Sequence, residues 1–223
     1  MHLVPTFRYE EPLWRQGYRF IAGLDEVGRG ALAGPVAAAA VILPPRARFP
    51  WLKHVRDSKL LSPANREELA ARIESDALAV GVGFISHATV DAIGIVRATR
   101  LAMLQALLQL PQEPDYLLID ALLLAQQDLP QQGIIDGDAL SKSIACASIV
   151  AKVARDALMR REGGRFRGYG FAANKGYATA FHREALWRLG PCFIHRRSFA
   201  PVRSAVFAFG GRRRVGKSGC RLR

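Results

Sequence analysis

Cysteine is scarce in this chain: Cys146, Cys192 and Cys220 stand far apart among 223 residues. No CxxC pair or Cys/His cluster offers a zinc site, so reduced thiols in a cytoplasmic protein are expected. Long apolar runs are also missing. The longest, Val36 to Leu43, is far too short to span a bilayer, and no membrane association is expected. Charges from Arg8 to Glu11 leave no room for the apolar core of a signal peptide. Acids are the minority charge, 19 against 32 Lys and Arg, giving a net charge of +13 and a pI near 10.5. Such a balance favours a polyanionic partner, above all nucleic acid. Residues 211–223 hold six basic residues and no acid; setting those six aside still leaves +7. With 50% hydrophobic and 23% charged residues, the rest is ordinary globular composition, enough for a core in one domain.

The informative stretch lies near the start, Ile21-Ala22-Gly23-Leu24-Asp25-Glu26-Val27-Gly28-Arg29-Gly30. An apolar strand runs straight into two adjacent acids, which suggests metal ligands at a strand end. Gly28 and Gly30 flank Arg29, and a glycine backbone can come close to a phosphate or sugar. The structural alternative is an acidic strand terminus followed by a Gly-rich turn.

In chain order, residues 1–17 form an arm without periodicity. Tyr18 to Leu24, Gly34 to Leu43 and Ala77 to Ile85 read as strands of an antiparallel meander. Ser62-Pro63 starts a helix that runs to about Ser75, a cap hydroxyl followed by proline at the first helical position. A helical pattern follows from His87 to Pro111. Tyr116 to Ile119 is a short apolar strand ending in Asp120, and Gly133 to Asp136 is a fifth strand before Gly137-Asp138. Leu140 to Arg161 reads as a long helix with an alanine-rich stripe, followed by a Gly-rich loop over 163–176 and an amphipathic helix from Tyr177 to Leu189. The expectation is an α/β domain over residues 18–209 with a mixed sheet, and a basic, disordered tail over 210–223. Acids at the carboxyl ends of short parallel strands fall on one sheet edge, where open α/β sheets place their sites.

Four acids stand out: Asp25, Glu26, Asp120 and Asp138. Gathered together they repel and raise one another's pKa, so cations must neutralise them. Carboxylate oxygens without His or Cys select Mg²⁺ or Mn²⁺. Two such ions about 4 Å apart activate a water and stabilise the leaving oxygen in phosphodiester hydrolysis. Taken singly, Asp120 could cap a turn and Asp138 the following helix. His182 and His195 could assist proton transfer, or serve packing or phosphate contact. Arg196-Arg197 suits a basic groove, and Trp14, Trp51 and Trp187 suit packing.

The blocks GLDEVGRGALAGPV, DSKLLS, YLLIDA, DGDALSKSIACASIVAKVARD, YGFAANKGYATAFH and HRRSFAPV, in this order over about residues 20–202, resemble those of ribonuclease HII. The resemblance implies the ribonuclease H-like fold, a mixed five-stranded sheet flanked by helices with a C-terminal helical portion. It implies an endoribonuclease that cuts the RNA of RNA–DNA hybrids and nicks duplex DNA 5′ of a single embedded ribonucleotide, leaving 5′-phosphate and 3′-hydroxyl ends. It places the metal ligands, for Mn²⁺ or Mg²⁺, on Asp25, Glu26, Asp120 and Asp138. Gly28, Arg29 and Gly30 become the reader of the ribose 2′-hydroxyl, Tyr177 supports recognition of the junction, and Lys59 contacts phosphate. A monomer is expected; whether a sliding clamp recruits it is not legible. Three positions depart from the family pattern: Ala121 where glycine is usual, Asn174 for histidine, and Ala178 for proline. No large N-terminal domain precedes the first strand, which argues against ribonuclease HIII. The rival readings are another nuclease of the same fold, without need of a 2′-hydroxyl reader, and a non-catalytic nucleic-acid-binding protein, which leaves the acids without purpose.

Overall fold

A computed structural model describes residues 4–215. In chain order the elements are α1 (Glu10–Arg15), β1 (Ile21–Val27), β2 (Val36–Ile42), α2 (Pro63–Asp76), β3 (Ala79–Ile85), α3 (His87–Ile93), α4 (Ile95–Leu108), β4 (Tyr116–Asp120), β5 (Gln131–Ile134), α5 (Gly137–Leu140), α6 (Lys142–Arg165), α7 (Phe171–Asn174), α8 (Ala180–Leu189) and α9 (Ala200–Val215). The strands form one mixed sheet in the order β3-β2-β1-β4-β5. The first three are the expected antiparallel meander, while β1, β4 and β5 run parallel. Thus β1 pairs both ways and sits at the centre.

Strand alternation decides which side chains meet which layer. Ala22 and Leu24 of β1, with Leu117 and Ile119 of β4, face α3 and α4 and their buried Val90, Ala102 and Met103. Ile21 and Leu118 face the other way, toward Ile144 of α6. Gly23 shares that second face, and its α-carbon packs directly on the backbone of Ser143 and Ile144. Helix α6 is buried on all sides over its first ten residues, between the sheet, α2 and the N-terminal arm. An alanine stripe describes only one of those sides.

The arm is structural. Thr6 pairs with Ser141, and the buried Glu10 accepts hydrogen bonds from the Ser141 hydroxyl (2.7 Å) and the Ser143 amide (2.9 Å) at the start of α6. Ser62 caps α2 as its sequence indicates, accepting from the Asn65 amide. Strand β5 starts two residues earlier than its apolar pattern suggests. The Gln131 side chain fixes its first residue by bonding both the amide and the carbonyl of Leu124. The segment expected to be a loop over 163–176 is shortened at its start by α6 reaching Arg165 and interrupted by α7. Helix α9 likewise continues past residue 210, where the tail was expected to begin; residues 216–223 of that tail lie outside the described residues. Among the described residues, no helix is long and apolar enough to cross a membrane.

Candidate active site

Asp25 follows Gly23 on the α6 face of β1, two residues on by strand alternation. Asp120 follows Leu118 on the same face of β4, and the parallel register brings Leu24 opposite Ile119, so the two aspartates leave the sheet side by side. A hydrogen bond from the Gly137 amide to Asp120 Oδ1 (2.8 Å) then ties in the turn that carries Asp138. Asp120 therefore does cap a turn, the one that presents another acid. Asp138 does not cap α6; that position belongs to Ser141, whose hydroxyl accepts from the Ile144 amide.

These three acids and Glu26 line one open cleft of about 450 Å³, together with Gly28, Arg29, Gly30, Lys59 and Tyr177. The nine residues that the resemblance places at the site thus meet in one cleft. Ser58, Ser148 and Lys152 complete the wall, and sequence reasoning missed them. Ser148 and Lys152 are the polar residues, spaced by four, within the apolar stretch Ile144 to Ala154 of α6, which is the signal that could have found them.

The electrostatics follow from crowding. Burial, followed by the charges of Glu26 and Asp120, raises the Asp25 carboxyl well above the usual carboxylate range. Burial likewise raises Glu26, opposed by Arg29, and raises Asp120, opposed by the Gly137 amide. Lys59 Nζ donates to Asp138 Oδ2 at 3.0 Å and lies 3.4 Å from Asp57. Burial pulls its pKa down, but the bond to Asp138 and its charge outweigh this and hold the ammonium above its ordinary range. Arg29 rests on Glu26 at 3.2 Å. Among the described residues, no three acids, histidines or cysteines already converge as a closed metal cage. The donor set nonetheless fits hard divalent cations: it is all carboxylate, half-buried or deeper, and two of its members carry an ammonium or guanidinium as countercharge.

The wall opposite the acids is a backbone held by buried arginines. Gly28 has φ +90°, and a Cβ there would strike the Arg155 side chain; no other residue suits the position. Gly30 faces open space, with nothing within 4 Å of where a Cβ would stand. Arg155 donates to the carbonyls of Pro35 (2.9 Å), Lys175 (3.0 Å) and Ala33 (3.3 Å). Its guanidinium lies 5.3 Å from the Tyr177 ring centre, and Lys152 Nζ lies 5.6 Å from it. Arg196 donates to the carbonyls of Gly34 (3.0 Å) and Arg29 (2.9 Å) and is fully buried, so it supports the wall from behind rather than lining a basic groove. Arg197 is exposed. His182 and His195 are both fully buried and outside the cleft, which excludes phosphate contact.

Two of the departures from the family pattern can be placed locally, and nothing in the structure explains Ala178. Ala121 occupies the left-handed region at φ 52°, where glycine is unstrained. Asn174 staples its own loop, donating to the Tyr169 carbonyl (2.7 Å) and accepting from the Gly176 amide (2.8 Å). Trp14 packs on Phe7, and Trp51 stacks on Phe49 with its indole N–H on Asp76. Trp187 is half exposed. Cys146 and Cys192 are free thiols; Cys220 lies outside the described residues.

Comparison with known proteins gives concordant results. The family model described as Ribonuclease HII matches residues 22–202. A ribonuclease HII from Dehalococcoides mccartyi is 52% identical over 202 residues, covering 91% of this chain and 96% of the relative. Among solved structures, the PCNA:RNase HII complex from Archaeoglobus fulgidus superposes with a TM-score of 0.71 at 26% identity, over 83% of this chain and 96% of that one. Bst-RNase HIII in complex with Mn²⁺ gives 0.67 at 22% identity, over 88% and 71% of the two chains.

Proposed function

The chain belongs to the ribonuclease HII family, endoribonucleases that act on the RNA of RNA–DNA hybrids and depend on divalent metal, and from that premise we propose that it also nicks duplex DNA 5′ of a single embedded ribonucleotide, leaving 5′-phosphate and 3′-hydroxyl ends. The observation that carries this reading is the meeting of the four acids, Gly28-Arg29-Gly30 and Tyr177 on one cleft. Asp25, Glu26, Asp120 and Asp138 are the residues that would hold the cations. Two cations bound there supply an activated water and charge compensation for the leaving oxygen; Mn²⁺ and Mg²⁺ are the candidates.

The chain's own residues do the rest. The 2′-hydroxyl alone distinguishes RNA from DNA at a given nucleotide, so its reader must touch the sugar beside the scissile bond. Gly28 to Gly30 is separated from Glu26 by one residue, Val27, and the open face of Gly30 leaves room for a sugar against the backbone. Arg29 can exchange Glu26 for a phosphate, to which its planar fork is well matched. Lys59, at the opposite wall, orients Asp138 and is placed to meet a second phosphate. Tyr177 presents its ring from a cationic cushion of Lys152 and Arg155, suited to packing on the sugar that follows the ribonucleotide. The partner inferred is the nucleic-acid duplex, met by a monomer in the cytoplasm. The association with PCNA belongs to the Archaeoglobus fulgidus protein and is not inferred for this chain.

The test compares an all-DNA duplex, the same duplex with one ribonucleotide, and a long hybrid, with metal omitted and then restored. Metal-dependent cutting 5′ of the ribonucleotide is expected. Cutting of the all-DNA duplex would remove the 2′-hydroxyl reader. Ribonucleotide binding without cutting at any metal concentration would remove the enzymatic reading.

A further inference from the structure

Behind Tyr177 lies a buried polar chain that the proposed reaction does not use. The Cys192 amide lies 3.0 Å from His195 Nδ1, His195 Nε2 lies 3.1 Å from His182 Nε2, and His182 Nδ1 lies 2.8 Å from the Tyr177 carbonyl. Both ends of this chain have fixed polarity. An amide N–H can only donate, so His195 Nδ1 is an acceptor and the His195 proton sits on Nε2. That proton is donated to His182 Nε2, which leaves the His182 proton on Nδ1. A carbonyl can only accept, and Nδ1–H donates to it. His195 Nδ1 also lies 3.1 Å from Cys192 Sγ, whose S–H can share that nitrogen with the amide. With both rings neutral every ring nitrogen is satisfied; an added proton would set two N–H groups against each other.

The surroundings favour the neutral pair. Both imidazoles are fully buried, edge-on to Tyr169 and Phe171. Burial lowers the pKa of each, and the neighbouring His182 lowers His195 further. The same strip of chain also carries the other wall of the cleft. Residues 194–196 pair with the backbone at 32–34, through Gly34 N–H to the Ile194 carbonyl (2.9 Å) and Arg196 N–H to the Leu32 carbonyl (2.8 Å). His195 thus has its backbone on the wall that continues Gly28–Gly30 and its ring on the way to Tyr177.

We propose that His182 and His195 are positioning residues, a neutral histidine pair that sets the distance between the Tyr177 backbone and the Gly28–Gly30 wall and thereby the preference for a lone ribonucleotide. This rests on the reading of Tyr177 given above.

The experiment uses the full-length protein and the two amides that resemble imidazole. Asparagine places its amide nitrogen near Nδ1 and can still donate to the Tyr177 carbonyl. Glutamine reaches only the Nε2 position, where its amide oxygen can accept from His195 while nothing donates to the Tyr177 carbonyl. Steady-state kcat and KM are measured for His182→Asn, His182→Gln and Tyr177→Ala on the embedded ribonucleotide and on a long hybrid. Nitrogen NMR of the wild type reads the two tautomers directly. Expected are neutral rings protonated on Nδ1 (His182) and Nε2 (His195). His182→Gln should lose about tenfold on the embedded ribonucleotide, the scale of one lost hydrogen bond, and much less on the hybrid. His182→Asn should restore most of that loss. Reversed or cationic tautomers overturn the proposal, as do Asn and Gln variants that fall equally. If Tyr177→Ala falls equally on both substrates while Asn and Gln still differ, the hold on the backbone stands and the junction reading of Tyr177 fails. Should His182→Gln not fold, His195→Gln, which keeps the donor to His182, carries the same comparison against His195→Phe.

Discussion

Gly23 is the contact through which a single methyl group should reach the reaction. A Cβ built there lies 2.2 Å from the Ser143 carbonyl carbon and 2.5 Å from the Ile144 nitrogen, both backbone atoms. Ordinary contact begins at 3.4 Å, so in Gly23→Ala the first turn of α6 must retreat by about 1.2 Å. Side-chain rotation cannot relieve it. The turn is pinned by Glu10 from behind and by the Asp120–Gly137 bond from the side, so the retreat strains both. Overpacking of this kind costs about 1–3 kcal/mol, and the rigid contact argues for the upper end. The same movement separates Asp138 and Ser148 from Asp25, and misplacement by about 1 Å lowers turnover roughly 100-fold. Urea denaturation reads the first effect; kcat under saturating hybrid, with binding measured separately, reads the second. Gly30→Ala is the control: with no neighbour within 4 Å, it should shift stability by no more than about 0.5 kcal/mol, while lowering cleavage through the lost sugar approach. A Gly23→Ala protein with wild-type stability and turnover would refute the argument. Lost stability with unchanged turnover would show that α6 does not set the acids.

Other outcomes follow from the charges and the strain. Asp25→Asn should lower cleavage by at least ~10²-fold, retain hybrid binding, and melt at a higher temperature than wild type in chelator, because it removes a carboxylate that burial and its neighbours destabilise; a lower melting temperature would contradict the crowding. Ala121→Gly should relieve the left-handed strain and stabilise by up to about 1 kcal/mol, part of the gain being cancelled by the added freedom of the unfolded chain; a loss of stability by denaturation would show that the methyl group packs usefully. His195, fully buried and held down to about 3 by burial, then by His182, with His87 and Arg197 also facing it, keeps its neutral form in the fold. Its folded pKa is depressed, so its contribution is complete above the ordinary value of 6.5 and is lost as pH falls toward 3. At pH 5 the loss is about 2 kcal/mol. Comparing wild type with His195→Gln at pH 7 and 5 cancels the opposite trend of the acids, and an identical pH dependence in the two proteins would refute the assignment.

Much of the site was legible because it depends on local patterns. An apolar run that passes into acid where the parallel β1–β4 pairing ends places that acid at the sheet's rim, which is why Asp25 and Asp120 were found from the residues alone, although β1 itself continues to Val27. Tyr177 was found only through the family resemblance, since nothing in a Gly-rich loop announces that its tyrosine returns to β1. What stayed hidden was carried by burial without periodicity. The start of α6 is covered all round, so its stripe understated it. Glu10 looked like part of a polar arm, yet it is a buried support of α6. Arg196 read as part of a basic groove, and nothing in the sequence pointed to Arg155, but each is enclosed by backbone carbonyls contributed by distant segments. Strand β5 slipped because Gln131 at its start is held by side-chain bonds to Leu124 rather than by an apolar face.

The buried Arg196 also has a meaning in time. A ribosome delivers Gly28 to Gly34 long before Arg196. Until then the carbonyls of Arg29 and Gly34 lack the guanidinium that holds them, and the chain between them has been exposed throughout synthesis. The backbone proposed to read the sugar is therefore completed late: the acids lie on segments up to α6, but the Arg29 and Gly34 carbonyls gain their buried guanidinium only when some 160 further residues have been added.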